Sequence, residues 1–249
     1  MTTDTPAVEL RHVSKAFGDL RVLDDVSLVV PAGRAICILG RSGTGKSVTL
    51  KHIVGLLQPD SGEVLVEGED IAALRGADLA RVRKRIGLLF QHAALFDSIS
   101  VGENVAFPLR RHTKLPDDEI RARAEDLLAQ VGLERNYDKM PADLSGGMQK
   151  RAGLARALVM KPAILLADEP SAGLDPITAG EIDQLLVALN DTAGTTLIVV
   201  THNIPSARVL GDELVFLHEG RIIAQGDVAS LDRSDVPLVQ QFMKSDSSG

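Results

Sequence analysis

Residues 40–47 fit the pattern G-x-x-x-x-G-K-[ST], which limits the folds and the ligands that are compatible with this chain. This segment consists of Gly40, Arg41, Ser42, Gly43, Thr44, Gly45, Lys46 and Ser47. A short apolar run, residues 35–39, precedes it and indicates a buried strand, and the residues from Val48 onwards can continue as a helix. A glycine loop in that position can surround phosphate oxygens with backbone N–H groups. The flanking elements therefore favour a phosphate-binding loop over the alternative, a glycine-rich turn that matches by chance.

The side chains of this loop also suit a nucleotide phosphate. Lys46 can place its positive charge against the β- and γ-phosphates, and the Ser47 hydroxyl can bind Mg²⁺. We therefore predict that residues 40–47, with Val48 at the start of the helix, form a cradle for a magnesium-bound nucleotide.

Composition narrows the class of protein. The chain has 249 residues, is 45% hydrophobic and carries a net charge of −7, which is typical of a globular protein and unfavourable for binding nucleic acid. The single cysteine, Cys37, lies in the apolar run before the loop, so we expect a buried structural thiol. The sequence shows no signal-peptide pattern and no apolar run of membrane-spanning length. We expect a cytosolic protein, or one that docks on a membrane from the cytosol through a partner.

The rest of the chain alternates between strand and helix patterns, which predicts a parallel sheet wrapped by helices. Strand patterns occupy residues 8–14, 22–29, 62–66, 87–90, 163–167, 196–201 and 213–217. Helix patterns occupy residues 78–85, 116–131, 146–160 and 177–189. Residues 91–160 have a predominantly helical character, and we interpret them as an insertion into the sheet-based core.

A second candidate site lies where an apolar run ends in two adjacent carboxylates, Asp168 and Glu169. Sites on parallel sheets form at the carboxyl ends of the strands, so this pair can meet the phosphate loop. Asp168 can hold Mg²⁺ directly or through water, and Glu169 can act as a general base on an attacking water. Alone, the pair could also be a capped turn. The presence of the phosphate loop favours the catalytic interpretation.

These motifs together resemble those of the ATP-binding cassette (ABC) ATPases, and the resemblance runs from Val8 to about Met243. The sequence LSGGMQ, residues 144–149, resembles the family signature and departs from it at Met148, where glutamine is commonest. The resemblance implies an anion contact by Ser145, Gly146 and Gly147 at the start of a helix. By themselves, these three residues would indicate only a flexible entry to a helix.

Four further residues match positions that have roles in that family. Gln91 resembles the Q-loop glutamine, which senses metal and water and links to the transport partner, so the resemblance makes Gln91 a catalytic residue and a third contact to Mg²⁺ beside Ser47 and Asp168. Asp175 matches the D-loop. His202 matches the switch histidine that contacts the γ-phosphate, although Asn203 departs from the usual acid after it. Phe17 matches the aromatic residue that stacks on adenine, and the alternative for Phe17 is a place in the core.

The resemblance implies an α/β fold: a P-loop NTPase core with a mostly parallel sheet, an N-terminal antiparallel β-subdomain and a helical insertion. We expect a single ABC ATPase domain over residues 1–243. Its parts would be a core at 1–90 and 161–235, a helical subdomain at about 91–160 and a C-terminal docking helix at about 236–243, with a disordered tail at 244–249. Two such cassettes would form a homodimer that binds ATP and Mg²⁺. The dimer would drive integral membrane permease subunits from the cytoplasmic face of the inner membrane.

Four segments resemble the cassettes of MCE/Mla-type lipid transporters in particular: residues 90–98, 104–113, 175–178 and 237–243. The implied partners are a lipid permease and MCE-domain lipid-binding subunits. An importer for another small solute is the main alternative. A soluble ABC ATPase acting on DNA or ribosomes would carry a long coiled coil or a second cassette. A binding module that uses ATP only as a switch would not need Glu169 and His202.

Overall fold

A computed structural model describes residues 5–245 and places the strands in two sheets. The first sheet contains β1 (Val8–Phe17), β2 (Leu20–Val30), β4 (Ser61–Val66) and β5 (Glu69–Asp70). Its strands pair antiparallel in the order β2-β1-β4-β5. This sheet is the predicted N-terminal antiparallel subdomain.

The second sheet has six strands and holds the phosphate loop at the end of one of them. Its strands are β3 (Ala35–Leu39), β6 (Ile86–Leu89), β7 (Ile164–Asp168), β8 (Thr196–Thr201), β9 (Glu213–His218) and β10 (Arg221–Gly226). The order is β10-β9-β3-β8-β7-β6, with every neighbouring pair parallel except β9 and β10. Because β3 lies between two strands and is buried on both faces, its sequence is continuously apolar.

Helices connect the strands and cover the sheets. They are α1 (Lys46–Ile53), α2 (Gly76–Arg83), α3 (Val101–His112), α4 (Asp117–Gln130), α5 (Gly146–Leu158), α6 (Pro176–Ala193), α7 (Ile204–Leu210), α8 (Val228–Asp232) and α9 (Pro237–Lys244). A short 3-10 turn, Pro141–Asp143, precedes α5. No helix within residues 5–245 is both long enough and apolar enough to cross a bilayer.

Three hydrophobic clusters hold these layers together. Ile36 and Ile38 of β3 face the antiparallel sheet, whereas Cys37 and Leu39 face the opposite cluster, which includes residues of α5, α6, α7 and α9. The third cluster lies between α3, α4 and α5. Each cluster removes apolar side chains from water, which is the main favourable term in folding. Cys37 is fully buried, as the apolar run predicted.

The predicted α/β fold with its parallel core and antiparallel subdomain is confirmed. The boundaries of the helical subdomain at residues 91 and 160 stay a prediction, supported by the separate cluster between α3, α4 and α5. The predicted tail at 244–249 differs from the structure at Lys244, which is the last residue of α9. Residues 1–4 of the predicted core and 246–249 of that tail lie outside the described residues. The α9 helix packs on its own chain, with Phe242 edge-on to Phe216 at 4.8 Å between ring centroids.

Candidate nucleotide-binding and catalytic site

The phosphate loop joins β3 to α1, and close backbone contacts require two of its glycines. A Cβ atom on Gly40 would lie 2.3 Å from the carbonyl oxygen of Leu217, and one on Gly45 would lie 2.7 Å from that of Val22. Gly45 also has a φ of 103°, which other residues rarely adopt. Packing against β9 and β2 therefore requires glycine at both positions, independently of any ligand.

The start of α1 leaves backbone N–H groups available to an anion. The first hydrogen bond of the helix runs from Thr49 N to Gly45 O at 2.9 Å. The N–H groups of Lys46, Ser47 and Val48 consequently have no acceptor within the helix. They lie at the positive end of its dipole, an arrangement that suits phosphate oxygens.

The outer part of the loop faces solvent, with Arg41, Ser42 and Gly43 exposed. The Thr44 hydroxyl donates to Arg41 O at 2.9 Å and closes this turn. An approaching ligand can therefore reach the loop from outside without displacing packed side chains.

Lys46 lies buried beneath the loop. Its Nζ donates to Gly40 O at 2.8 Å and to Arg41 O at 3.1 Å, and lies 3.8 Å from Glu169 Oε1. Burial lowers the pKa of Lys46, and the Glu169 carboxylate opposes that shift. The ammonium group is thus held at the inner side of the loop by carbonyl oxygens, where a phosphate would meet it.

A hydrogen bond between Ser47 and Asp168 brings α1 and β7 together. Ser47 Oγ donates to Asp168 Oδ1 at 2.9 Å. Burial raises the pKa of Asp168, the bond from Ser47 opposes the rise, and the neighbouring charge of Glu169 adds to it. A cation bound at this carboxylate would favour its ionised form and offset the effect of burial.

The oxygen atoms of Ser47 and Asp168 suit Mg²⁺ as two of its ligands, and the remaining ligands would come from elsewhere. Mg²⁺ in nucleotide sites binds one or two protein oxygens together with phosphate oxygens and water. Within the described part of the chain, no group of three or more His, Cys, Asp or Glu side chains is placed to hold a metal ion. Gln91, the predicted third contact, lies exposed just after β6 and forms no hydrogen bond with Ser47 or Asp168 in residues 5–245.

Glu169 occupies a strained and tightly held position at the end of β7. It is 8% exposed, and its φ of 47° lies in the left-handed region, which costs a non-glycine residue about 1–2 kcal/mol. Its Oε2 accepts a bond from Thr201 Oγ1 at 3.1 Å, and its Oε1 lies 2.9 Å from His202 Nδ1. Its backbone N donates to Val200 O at 2.9 Å. The structure thus brings Glu169, His202 and Lys46 together, and their catalytic roles stay predictions.

Lys150 also contacts this site, although its sequence position did not predict it. Its Nζ donates to Glu169 O at 3.1 Å and to Ala172 O at 2.5 Å, which ties α5 to the backbone of the segment that follows β7. Burial lowers the pKa of Lys150, and the nearby Glu169 opposes that shift. The acceptors are carbonyl oxygens, which leave no side-chain signal in the sequence.

The residues of the signature segment lie at the start of α5. Ser145 caps the helix and accepts a bond from Met148 N at 3.3 Å, and Gly146 beside it is exposed. Gly147 is buried, and a Cβ there would lie 2.6 Å from Thr178 Cγ2 of α6. The segment therefore requires a glycine at this position to pack against α6.

Asp175 caps α6 through hydrogen bonds to neighbours in its own turn. Its carboxylate accepts bonds from the backbone N atoms of Ile177 and Thr178 at 3.1 Å each and from Thr178 Oγ1 at 2.6 Å. These hydrogen bonds lower the pKa of Asp175. In the described chain, neither Asp175 nor Ser145 bonds to the phosphate loop, so their predicted contacts with nucleotide stay predictions.

Phe17 lies at the end of β1 with 48% of its surface exposed. The ammonium of Lys15 lies 5.6 Å from the centroid of its ring. Because the ring is not enclosed by the core, the alternative of a core position loses its support. The ring is accessible to a flat ligand, and stacking on adenine stays a prediction.

Comparisons with known proteins agree with these features. The family model described as ABC transporter matches residues 23–172. The intermembrane phospholipid transport system ATP-binding protein MlaF of Escherichia coli K12 is 41% identical, over 95% of this chain and 88% of its own. The mkl protein of Mycobacterium tuberculosis H37Rv, named as a probable ribonucleotide transport ATP-binding protein, is 44% identical over 95% of this chain. The chain spans 66% of the length of mkl.

Solved structures share the architecture. The ATP-binding cassette MJ0796, in a dimeric post-hydrolysis state bound to ADP and Pi, superposes with a TM-score of 0.83 at 36% identity. The alignment covers 89% of this chain and 98% of that one. The family match, the relatives and the geometry of the site lead to one conclusion: the chain belongs to the ABC transporter family of ATP-binding cassettes.

Proposed function

We propose that this chain is the ATP-hydrolysing subunit of an ABC transporter. The observation that carries the proposal is the convergence of Lys46, Ser47, Asp168, Glu169 and His202 at one end of the parallel sheet. Lys46 and the loop N–H groups would bind the phosphates, and Ser47 and Asp168 would hold Mg²⁺, which neutralises charge on the phosphates when bound. Glu169 would accept a proton from the attacking water, with His202 beside it to contact the γ-phosphate.

We propose further that the active form is a homodimer of cassettes. Support comes from Ser145 and Asp175, which cap helices on the surface of the chain without contacting its own phosphate loop. A second copy could bring these helix starts against the nucleotide of the first. ATP held between two copies would favour the closed dimer over the open one, and hydrolysis would remove that preference.

The test of the ATPase proposal is Lys46→Ala. We expect hydrolysis to fall by about a hundredfold or more, because the charge opposite the transferred phosphoryl group is lost, and ATP binding to weaken. The measurements are phosphate release and nucleotide affinity in the purified protein. Lys114→Ala, which removes an exposed lysine, is the matched control. A folded Lys46→Ala protein with the wild-type rate would overturn the assignment.

For the transported substrate we propose a phospholipid or related lipid. An MCE/Mla-type permease and MCE-domain subunits would be the partners, at the cytoplasmic face of the inner membrane. The relative MlaF, named for intermembrane phospholipid transport, supports this proposal. A ribonucleotide or another small solute is the second candidate, favoured by the similarity to mkl.

A groove between β6, α3 and α5 is the proposed docking site for a cytoplasmic helix of the permease. It has a volume of about 530 Å³ and is lined by aromatic, apolar and basic side chains, among them Phe90, Phe96, Phe107, Met160 and Lys84. Phe96 and Phe107 lie 4.9 Å apart between ring centroids, and both are more than 40% exposed. Exposed aromatic pairs of this kind mark interaction surfaces.

Phe96→Asp tests this docking site and the partner together. We expect the ATPase to separate from its membrane partner, because a carboxylate would replace an aromatic contact, while nucleotide affinity stays near normal. The measurements are a pull-down with the permease encoded beside the chain and lipid analysis of the complex. Leu56→Asp, at an exposed apolar position outside the groove, is the control. A permease for ribonucleotides, sugars or metals without an MCE-domain subunit would contradict the lipid proposal and leave the ATPase proposal standing.

A further inference from the structure

The loop that follows Gln91 contains two consecutive residues in the left-handed backbone region. Ala93 has a φ of 57° and Ala94 a φ of 49°. For an L-residue with a Cβ atom, this conformation costs roughly 1–2 kcal/mol. Two such residues in succession persist only where contacts from outside the loop hold them.

Arg156 of α5 supplies those contacts. Its Nη1 donates to Ala94 O and its Nη2 to Ala93 O, each at 2.6 Å. No carboxylate within residues 5–245 forms an ion pair with Arg156, and burial lowers the pKa of its guanidinium. The two carbonyl oxygens are therefore the groups that compensate the charge for its loss of water.

A missing side chain lets α5 approach the same loop closely. A Cβ on Gly153 would lie 3.1 Å from Ala93 Cβ and 3.2 Å from Leu89 Cδ1. A glycine inside a helix costs about 1 kcal/mol relative to alanine, so this approach is made at the expense of helix stability. Gly153 and Arg156 are three residues apart on one helix face. Lys150, three residues before Gly153, bonds to Glu169 O.

We propose that Arg156 is a positioning residue for Gln91. By holding the carbonyls of Ala93 and Ala94, its guanidinium fixes the course of the loop and so the direction of the Gln91 side chain. The inference rests on the proposed function, in which Gln91 would sense metal and water as the Q-loop glutamine that it resembles does. Because Ser145 caps the start of α5, a displacement of α5 against β6 would be transmitted to Gln91 through the same guanidinium. Arg156 also lines the proposed docking groove, so it would lie between the permease and the nucleotide.

The first test is Arg156→Lys, which keeps the charge but cannot bridge two carbonyls as a planar guanidinium does. We expect kcat to fall about tenfold while the KM for ATP stays within about twofold, since a displaced group impairs chemistry more than binding. The Mg²⁺ concentration for half-maximal activity should rise, because Gln91 is assigned to the metal. Arg135→Lys, at an exposed arginine, is the control and should leave kcat and the Mg²⁺ dependence unchanged.

The second test asks whether the lost activity comes from the backbone of the loop. Ala94 is exposed, so Ala94→Gly removes no packing, and glycine adopts the left-handed region without steric cost. Ala94→Gly should change little alone and should restore most of the kcat lost in Arg156→Lys. Ala94→Val leaves Arg156 intact and should lower kcat as Arg156→Lys does, since a β-branched residue resists this conformation. A double variant no more active than Arg156→Lys, or Arg156→Lys at the wild-type rate, overturns the inference.

The third test requires no hydrolysis. Hydrogen–deuterium exchange of residues 91–96 in the nucleotide-free protein should be about tenfold faster in Arg156→Lys and unchanged in Arg135→Lys, because local opening sets the exchange rate. Exchange in β3 and β8 shows whether the variant is folded. Unchanged exchange in the loop overturns the inference and leaves the ATPase proposal intact. If the wild-type protein hydrolyses no ATP, the proposed function fails separately, and the exchange rate still decides whether Arg156 holds the loop.

Discussion

At the scale of single residues, the two carboxylates at the end of β7 have different surroundings, which supports different roles. Asp168 bonds to the hydroxyl of Ser47 and faces the start of α1, where a cation beside phosphate would lie. Glu169 bonds to Thr201 and His202 and lies near Lys46. Its carboxylate is held in place before any water arrives, which suits a base whose position must be fixed.

We predict that Glu169→Gln keeps ATP binding and lowers turnover by about a hundredfold or more, because an amide cannot accept the proton from water. The variant should accumulate as an ATP-bound dimer, measurable by size-exclusion chromatography or cross-linking. Glu219→Gln is the control, since Glu219 is exposed and has nearly the same backbone conformation, with a φ of 46°. Hydrolysis by Glu169→Gln near the wild-type rate would place the base elsewhere.

The residues found from the sequence and those missed differ in a physical way. The positions of three site residues could be predicted because each directly follows an apolar strand or a glycine loop, which locates it relative to the sheet. These residues are Lys46, Asp168 and Glu169. Lys150 and Arg156 could not be predicted, because their partners are backbone carbonyls distant in the chain. A lysine or arginine that bonds to main-chain oxygens of a distant loop cannot be distinguished by sequence from one that faces solvent.

At the scale of elements, eight of the ten strands within residues 5–245 were predicted, whereas β5, β10 and the α3 helix were missed. Pro108 and Gly102 lie inside α3, and both residues oppose a helix assignment. A signal was present at its start, where Ser100 accepts a bond from Glu103 N at 3.2 Å. Ser followed by Glu three positions later is a pattern of helix N-termini. Short elements such as α8 contain too few residues to show a period at all.

The α3 helix supplies a prediction because Gly102 has a packing role. A Cβ there would lie 2.3 Å from the ring of Tyr137. Gly102→Ala should therefore lower the free energy of unfolding by about 1–3 kcal/mol, since overpacking outweighs the gain in helix propensity. Urea denaturation measures this change. Gly180→Ala in α6, where a Cβ meets nothing within 4 Å, is the control and should stabilise the protein. A more stable Gly102→Ala protein would contradict the packing argument.

At the scale of the whole molecule, the burial of His52 makes stability depend on pH. His52 is 1% exposed, its Nδ1 lies 2.7 Å from Val48 O, and its Nε2 finds no partner among residues 5–245. Burial lowers the pKa of His52 below its ordinary value. As the pH falls through about 6.5, the unfolded chain therefore binds a proton at this position before the folded chain does. Protonation then favours the unfolded chain.

We predict that the free energy of unfolding falls between about pH 7 and pH 5, in part through His52. His52→Leu should reduce this pH dependence, because the protonation that favours unfolding is removed. Urea denaturation across that range provides the measurement. His92→Gln, at an exposed histidine, should leave the pH dependence as it is. An equal pH dependence in wild type and His52→Leu would exclude a contribution from this residue.

The contact between Arg156 and the loop also bears on how this sequence can drift. Position 94 is on the surface and would ordinarily tolerate many residues. Any residue other than glycine there, however, depends on the Arg156 guanidinium to hold the loop in its left-handed conformation. Glycine at position 94 would weaken selection for arginine at position 156, whose remaining partner would be Ala93 O, and loss of the arginine would favour glycine at position 94. Although positions 94 and 156 are 62 residues apart in sequence, we therefore expect their substitutions to be correlated in evolution.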